Sequence, residues 1–146
     1  MAITTNAITN SFKEDTFKGL HDFTPSTGDV FKLALYNSTA SIGADTTSYA
    51  VGITGQVPDT GQYVAGGGSL VNALVSVNGT TAFVNFNELS FTGVTLTARG
   101  ALIYNTSESS KSVCVLDFGG DKTATAGTFT IQFPAANDTQ AIIRIS

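Results

Sequence analysis

A chain of 146 residues with a net charge of −4, 42% hydrophobic and 12% charged residues, is long enough to bury one core and too sparsely charged to build a phosphate-binding face. Its seven Lys and Arg are scattered from Lys13 to Arg144, which excludes a basic stripe and so predicts no direct nucleic-acid partner. No apolar run reaches the roughly 20 residues of a bilayer span, and the opening segment MAITTNAITN lacks the basic-then-apolar order of a secretory signal, so a chain made in the cytoplasm with no membrane partner is expected.

The first segment is the one predicted helix. Ser11 stands three residues before Glu14, as in a capping box, and Ile8, Phe12, Phe17 and Leu20 fall near helical spacing. Glu14 and Asp15 then belong to the first helical turn, where the dipole favours acidic groups. Gly19 and Thr24-Pro25-Ser26-Thr27-Gly28 stop the helix, so residues 1–27 read as a helical arm and linker. Phe31-Lys32-Leu33-Ala34-Leu35-Tyr36 is a continuous apolar run and predicts a central strand.

From about residue 38 to 68 the chain is rich in Gly, Thr, Asp and Ser with isolated apolar residues such as Val51, Ile53, Val57 and Tyr63, which predicts a long ordered loop ending in Gly66-Gly67-Gly68. Leu70 to Val77 and Thr81 to Phe86 flank Asn78-Gly79, a pair suited to the left-handed conformations of a type I′ hairpin. Further strands are expected at Leu89 to Leu96, Ala101 to Tyr104, Val113 to Phe118, Thr128 to Phe133 and Ala141 to Ile145, with turns at Asn105 to Ser110 and Asp121 to Gly127. The fold class is therefore all-β: one antiparallel β-sandwich or jelly-roll-like barrel over residues 28–146, carrying the short N-terminal helix, in a single domain 1–146.

No chemistry is legible on this frame, and no catalytic, cofactor-binding or metal-ligating residue is predicted. The single His21 has no ligand partner at metal spacing and is expected to cap or to lie at the surface; any serine or cysteine triad would need it as base. Cys114, the one cysteine, sits in an apolar run, which predicts a buried thiol and excludes an intrachain disulfide. Asp45, Asp59, Asp121 and Asp138 fall in expected turns. The glycine trio lacks the Lys-Ser or Lys-Thr of a phosphate loop and reads as a flexible loop end, and Asp117-Phe118-Gly119 reads as a strand-to-turn junction. The Asn-x-Ser/Thr triplets at Asn37, Asn78, Asn105 and Asn137 come without a secretory signal, so glycosylation is not expected.

Several stretches carry a resemblance. They are Met1-Ala2-Ile3-Thr4-Thr5-Asn6-Ala7 with Ser11-Phe12-Lys13, Leu20-His21-Asp22-Phe23 and Asp29 to Tyr36, and further along the chain Thr97 to Asn105, Val115 to Thr123 and Gly127 to Pro134. Across nearly its whole length the chain resembles a family of small structural proteins of tailed bacteriophages and prophages, with the loop as the variable part. The resemblance implies a virion component without enzymatic activity. A small acidic β-sandwich in that setting suits a capsid decoration or cement protein. It would bind the major capsid protein on the outer shell and itself as a homodimer or homotrimer. A tail-associated subunit (tube, adaptor or fibre-associated) is the alternative. A carbohydrate-binding module, with Tyr49, Tyr63 and Tyr104 stacking on sugars, is a second. The arm is expected to dock a face made of Phe12 and Phe17 on its own sandwich or on a partner.

Overall fold

A computed structural model describes residues 3–71 and 73–146. Met1 and Ala2, at the head of the first resembling stretch, and Asn72, inside the expected Leu70 to Val77 strand, lie outside the described residues. In chain order the elements are β1 (Ala7–Ile8), α1 (Asn10–Phe17), β2 (Phe31–Tyr36), β3 (Gly68–Ser69), β4 (Leu74–Asn78), β5 (Thr81–Asn85), β6 (Leu89–Asn105), β7 (Lys111–Ile131) and β8 (Ile143–Ile145). They form two antiparallel sheets, a large one in the order β1-β7-β6-β2-β3 and a small one in the order β4-β5-β8. The result is the expected all-β, sandwich-like architecture with one short helix.

Strand β2 has the bounds its apolar run predicts, and both of its faces are buried. Phe31, Leu33 and Leu35 enter a core shared with Phe12, Phe86, Val94, Ile103, Val113, Phe129 and Ile143. Ala34 and Tyr36 enter a second core on the opposite face, with Ile3, Ala40, Ile42, Leu102, Tyr104 and Val115. Alternate residues of a strand point to opposite faces, so a strand without a polar face needs two covers. The small sheet and α1 contribute to the first cover, while the N-terminal arm and the long loop make the second.

The long loop is therefore a packed layer. Ala40 and Ile42 serve one core and Val57 and Tyr63 the other, so the segment wraps around the outer edge of β2. Val57 N donates to Leu35 O at 3.0 Å, Asn37 N donates to Gly55 O at 2.8 Å, and Leu35 N donates to the Tyr63 hydroxyl at 2.8 Å. These bonds, with β3, occupy edge groups that would otherwise be buried without partners. Gly67 is the point of closest approach: its φ is +83° and a Cβ there would stand 1.7 Å from Leu33 O. The glycine trio is thus a tight crossing and not a flexible end.

Three expectations change in the structure. Strands β6 (17 residues) and β7 (21 residues) form one long hairpin where four shorter strands are expected, with register shifts between Phe91 and Val94, Val94 and Leu96, Ala98 and Gly100, and Ile103 and Tyr104. Bulges let such ribbons bend while staying paired, so the polar stretch from Asp121 to Gly127 remains strand. Asp117-Phe118-Gly119 accordingly lies inside β7, where Asp117 Oδ1 accepts from Gly119 N at 2.9 Å. The expected strand from Leu70 to Val77 starts later, as Leu74–Asn78 in the small sheet, while Gly68–Ser69, expected at the end of the loop, pairs in the large one. The hairpin turn falls one residue later than Asn78-Gly79: Asn78 pairs with Thr81, and Gly79, with φ +58°, occupies the first central position as in a type II′ turn.

The arm also differs. Ala7–Ile8 is a strand on β7, and the helix cap is Thr9, whose Oγ1 accepts from Phe12 N at 3.4 Å. Ser112 Oγ in turn donates to Thr46 O at 2.6 Å and lies 2.9 Å from Thr9 Oγ1, joining arm, β7 and loop at one buried point. Phe12 is buried but Phe17 is 95% exposed, so the two phenylalanines do not form one docking face. Replacing Tyr63 by Phe, which strands the buried Leu35 N–H while keeping the ring, is expected to lower unfolding free energy by about 1–3 kcal/mol in denaturant titration.

Candidate interaction surface

The small sheet has two faces of different composition. Cross-strand register places Val75, Val84 and Ile143 in one row and Val77, Ala82 and Ile145 in the next, all on the same face. The first row runs into the core, where Ile143 is buried and Val84 packs against it. The second row lies beyond the core: Val77 is 67% and Ile145 59% exposed, and Val75 at the outer end of the first row is 48% exposed. The sheet thus carries an apolar face out of the protein body into solvent. Val71 and Leu74 are exposed nearby, and no Asp, Glu, Lys, Arg or His occurs between Asp59 and Glu88. All five residues of β4 are exposed, and the strand is an edge of its sheet.

A second cluster lies under the arm. The His21 side chain is 1% exposed and that of Asp15 4%, which corrects the expectation that His21 lies at the surface. Asp15 is near the C-terminal end of α1, not in its first turn, and points inward because Thr9 and not Ser11 sets the cap. His21 packs against Phe12, with ring centroids 4.9 Å apart. Asn105 fixes its tautomer. The Asn105 carboxamide oxygen accepts from Ser107 N at 3.0 Å, so its NH2 faces His21 Nδ1 at 3.1 Å and Asp29 Oδ2 at 2.7 Å. An NH2 only donates, so Nδ1 accepts and the proton of the neutral ring sits on Nε2. That atom faces Asp15 Oδ2 at 3.7 Å, beyond hydrogen-bond range, while Lys111 Nζ approaches the same oxygen at 3.0 Å. Burial, as the largest effect, holds the His21 pKa below its ordinary value against the opposing pull of Asp15 and Asp29. The arrangement ties helix, linker and β7 together. With both His21 and Asp15 closed to solvent, it offers no route for a substrate to reach the pair.

The other singled-out residues serve the fold. Cys114 is buried, its thiol pushed up to about 12 by desolvation, which suppresses the thiolate needed for reactivity. Tyr63 and Tyr104 are core residues, and Tyr49 stacks on Tyr104 with centroids 4.4 Å apart. Two of the three rings expected to stack on a sugar thus lie in the core, and the third, Tyr49, is half-buried. Asn37 Oδ1 accepts from Thr39 N at 2.9 Å and Thr39 Oγ1 at 2.7 Å, and Asn137 Oδ1 does the same with Thr139 at 3.0 and 2.8 Å. These triplets are side-chain-capped turns, as is Asp22-Phe23-Thr24. A surface groove of about 520 Å³ beside residues 41–47 has one carboxylate, Asp45, which accepts from Asn10 Nδ2 at 2.9 Å. Among the described residues no group of three or more His, Cys, Asp or Glu is placed to hold a metal ion.

Composition marked the small sheet only indirectly, through its uncharged run. That its apolar face would overshoot the core could not be read, because alternation shows which residues share a face and not how far the opposing layer extends. Comparison with protein-family models, with curated proteins and with solved structures finds no match.

A group whose folded-state pKa is depressed by burial resists protonation that the unfolded chain accepts. For His21 the folded state is then favoured above about pH 6.5, the unfolded value, and loses stability as pH falls through it toward the depressed folded value. Thermal unfolding followed between pH 7.5 and 5.5 is expected to show a steeper fall in Tm for the native chain than for His21→Gln. Parallel curves for the two would contradict a buried neutral imidazole.

Proposed function

We propose that this chain is a structural component of a tailed-bacteriophage particle, a capsid decoration or cement protein held on the outer face of the major capsid shell. The observation that carries the reading is the apolar, uncharged end of the small sheet. An exposed apolar patch continuous with a core marks a protein contact, since water-facing valines and isoleucine gain about 25 cal/mol for each Å² they bury. The rest of the molecule fits that role. The all-β body is rigidly cross-tied at arm, loop and β7, its surface carries few charges to repel neighbouring copies, and its sequence resembles small virion proteins. The mechanism is linkage: a protein that binds only the assembled shell adds RT ln(1 + [L]/Kd) per site to its stability, about 2.7 kcal/mol when the ligand stands at 100 Kd.

Reconstruction of purified particles is expected to place the chain in regular array on the outer shell with the small sheet in contact. Particles lacking the chain are expected to release DNA at a lower temperature than complete particles. Density confined to the tail would replace the decoration role with a tail-subunit role, and absence from the particle would overturn the virion reading.

A further inference from the structure

We infer that the free edge of β4 pairs with β4 of a second copy of this chain, antiparallel about a two-fold axis at Ser76, to make one continuous six-stranded sheet. The inference deepens the lattice-bound reading and rests on it for the supply of neighbouring copies, but its geometry comes from the strand itself.

The first observation is parity. In an antiparallel hairpin closed by a two-residue turn, the residues flanking the turn exchange both backbone hydrogen bonds, and the bonded pairs recur at every second position. Asn78 and Thr81 flank the turn, so Asn78–Thr81, Ser76–Phe83 and Leu74–Asn85 are the bonded pairs. The N–H and C=O of Val75 and Val77 then point away from β5, toward the open edge. A two-fold axis at Ser76 sets Val75 opposite Val77 of the second copy, and Val77 opposite its Val75. Outward groups meet outward groups, each valine pair exchanges two hydrogen bonds, and every residue from Leu74 to Asn78 has a counterpart.

The second observation is the composition of that edge. Natural sheet edges are guarded by Lys, Pro, bulges or a covering segment. Strand β4 reads Leu-Val-Ser-Val-Asn, is exposed throughout and has none of these. The pairing also extends the exposed Val75 and Val77 face across the axis, so valine meets valine on the side that carries Ile145.

The third observation is charge, and it selects the occupant. Two copies each at −4 repel, and a partner recruited by electrostatics would need a charged surface to meet. The run between Asp59 and Glu88 has no charged side chain, so a like-charged copy can approach here without a repulsive contact. Pairing of five-residue strands is a small interface beside the roughly 1,200–2,000 Å² of stable complexes, so the contact is weak in free protein and is strengthened where a lattice holds copies close together.

Variants of the purified chain with one added cysteine test the register, with Cys114 silent because it is buried. Ser76 faces its own counterpart in a non-hydrogen-bonded pair, whose Cα separation of about 4.5 Å suits a disulfide. Under mild oxidation at high protein concentration, Ser76→Cys is expected to form covalent dimer about tenfold faster than Leu74→Cys or Asn78→Cys, which oppose each other and not themselves. An equimolar mixture of Leu74→Cys and Asn78→Cys is expected to cross-link to each other, and Val77→Lys introduced into Ser76→Cys to suppress its dimer. Equal rates for the three single variants, or no cross-link in any of them, would overturn the pairing. Because these assays use free protein, failure here leaves the particle location to be decided by microscopy, and absence from particles leaves the dimer to be decided by cross-linking.

Discussion

Five of the six side chains of Phe31–Tyr36 are buried, and they divide between the two faces of the large sheet. That double burial is the constraint from which the rest of the architecture follows. A sheet with one wet face could have stopped at a simple sandwich. Here the second face must also be closed, and the residues that close it are Ile3 from the arm and Ala40 and Ile42 from the loop, with Tyr49 and Ile53 packed against them. Ordering a loop of this length opposes folding by about 1–2 kcal/mol per residue, so it holds its shape only because its scattered apolar residues enter a core and its backbone pairs with β2. Gly67 lets the backbone approach β2 that closely, Gly55 lets the loop close on its own Ala40, and Val57 and Tyr63 secure it from the other side.

What could be read from the residues divides along the same line. The β2 run, the hairpin around Gly79, the helix near Phe12 and the burial of Cys114 were legible because each is a local pattern. The fusion of four expected strands into β6 and β7 was not, because Thr97 to Gly100, Gly119 and the polar residues from Asp121 to Gly127 interrupt the apolar pattern and act as bulges and exposed strand. Only the partner strand distinguishes the two. Thr97 Oγ1 and Thr123 Oγ1, 2.9 Å apart across the hairpin, show how this polar ribbon is held together by cross-strand pairs that no single segment reveals.

The same limit applied to His21. A lone histidine beside Asp22 in a turn-rich linker reads as a surface residue, and the groups that bury it are Phe12, Asp15, Asn105 and Lys111, brought together from distant parts of the chain. A buried neutral imidazole between an aspartate and an asparagine carboxamide is a directional fastener, since only one tautomer satisfies Nδ1. It fixes the linker between α1 and β2, and with Thr9 and Ser112 it makes the arm part of the sheet.

These internal ties bear on why one end of the small sheet stays open. An unguarded apolar edge invites indiscriminate pairing, and proteins tolerate it when the edge is short and its supports are rigid. Strand β4 spans Leu74–Asn78 only, its neighbour β5 is anchored through Phe86 and the Asn85 carboxamide, which donates to Pro134 O at 2.8 Å, and β8 is rooted by Ile143. The exposed rows therefore sit on a fixed base and present one register. A short edge of fixed register favours a single closed contact over a growing stack, because once two copies meet about a two-fold axis no unpaired β4 edge is left between them. A surface that is apolar, uncharged and self-limiting suits a component that must join neighbours in a finite shell and remain dispersed before it does so.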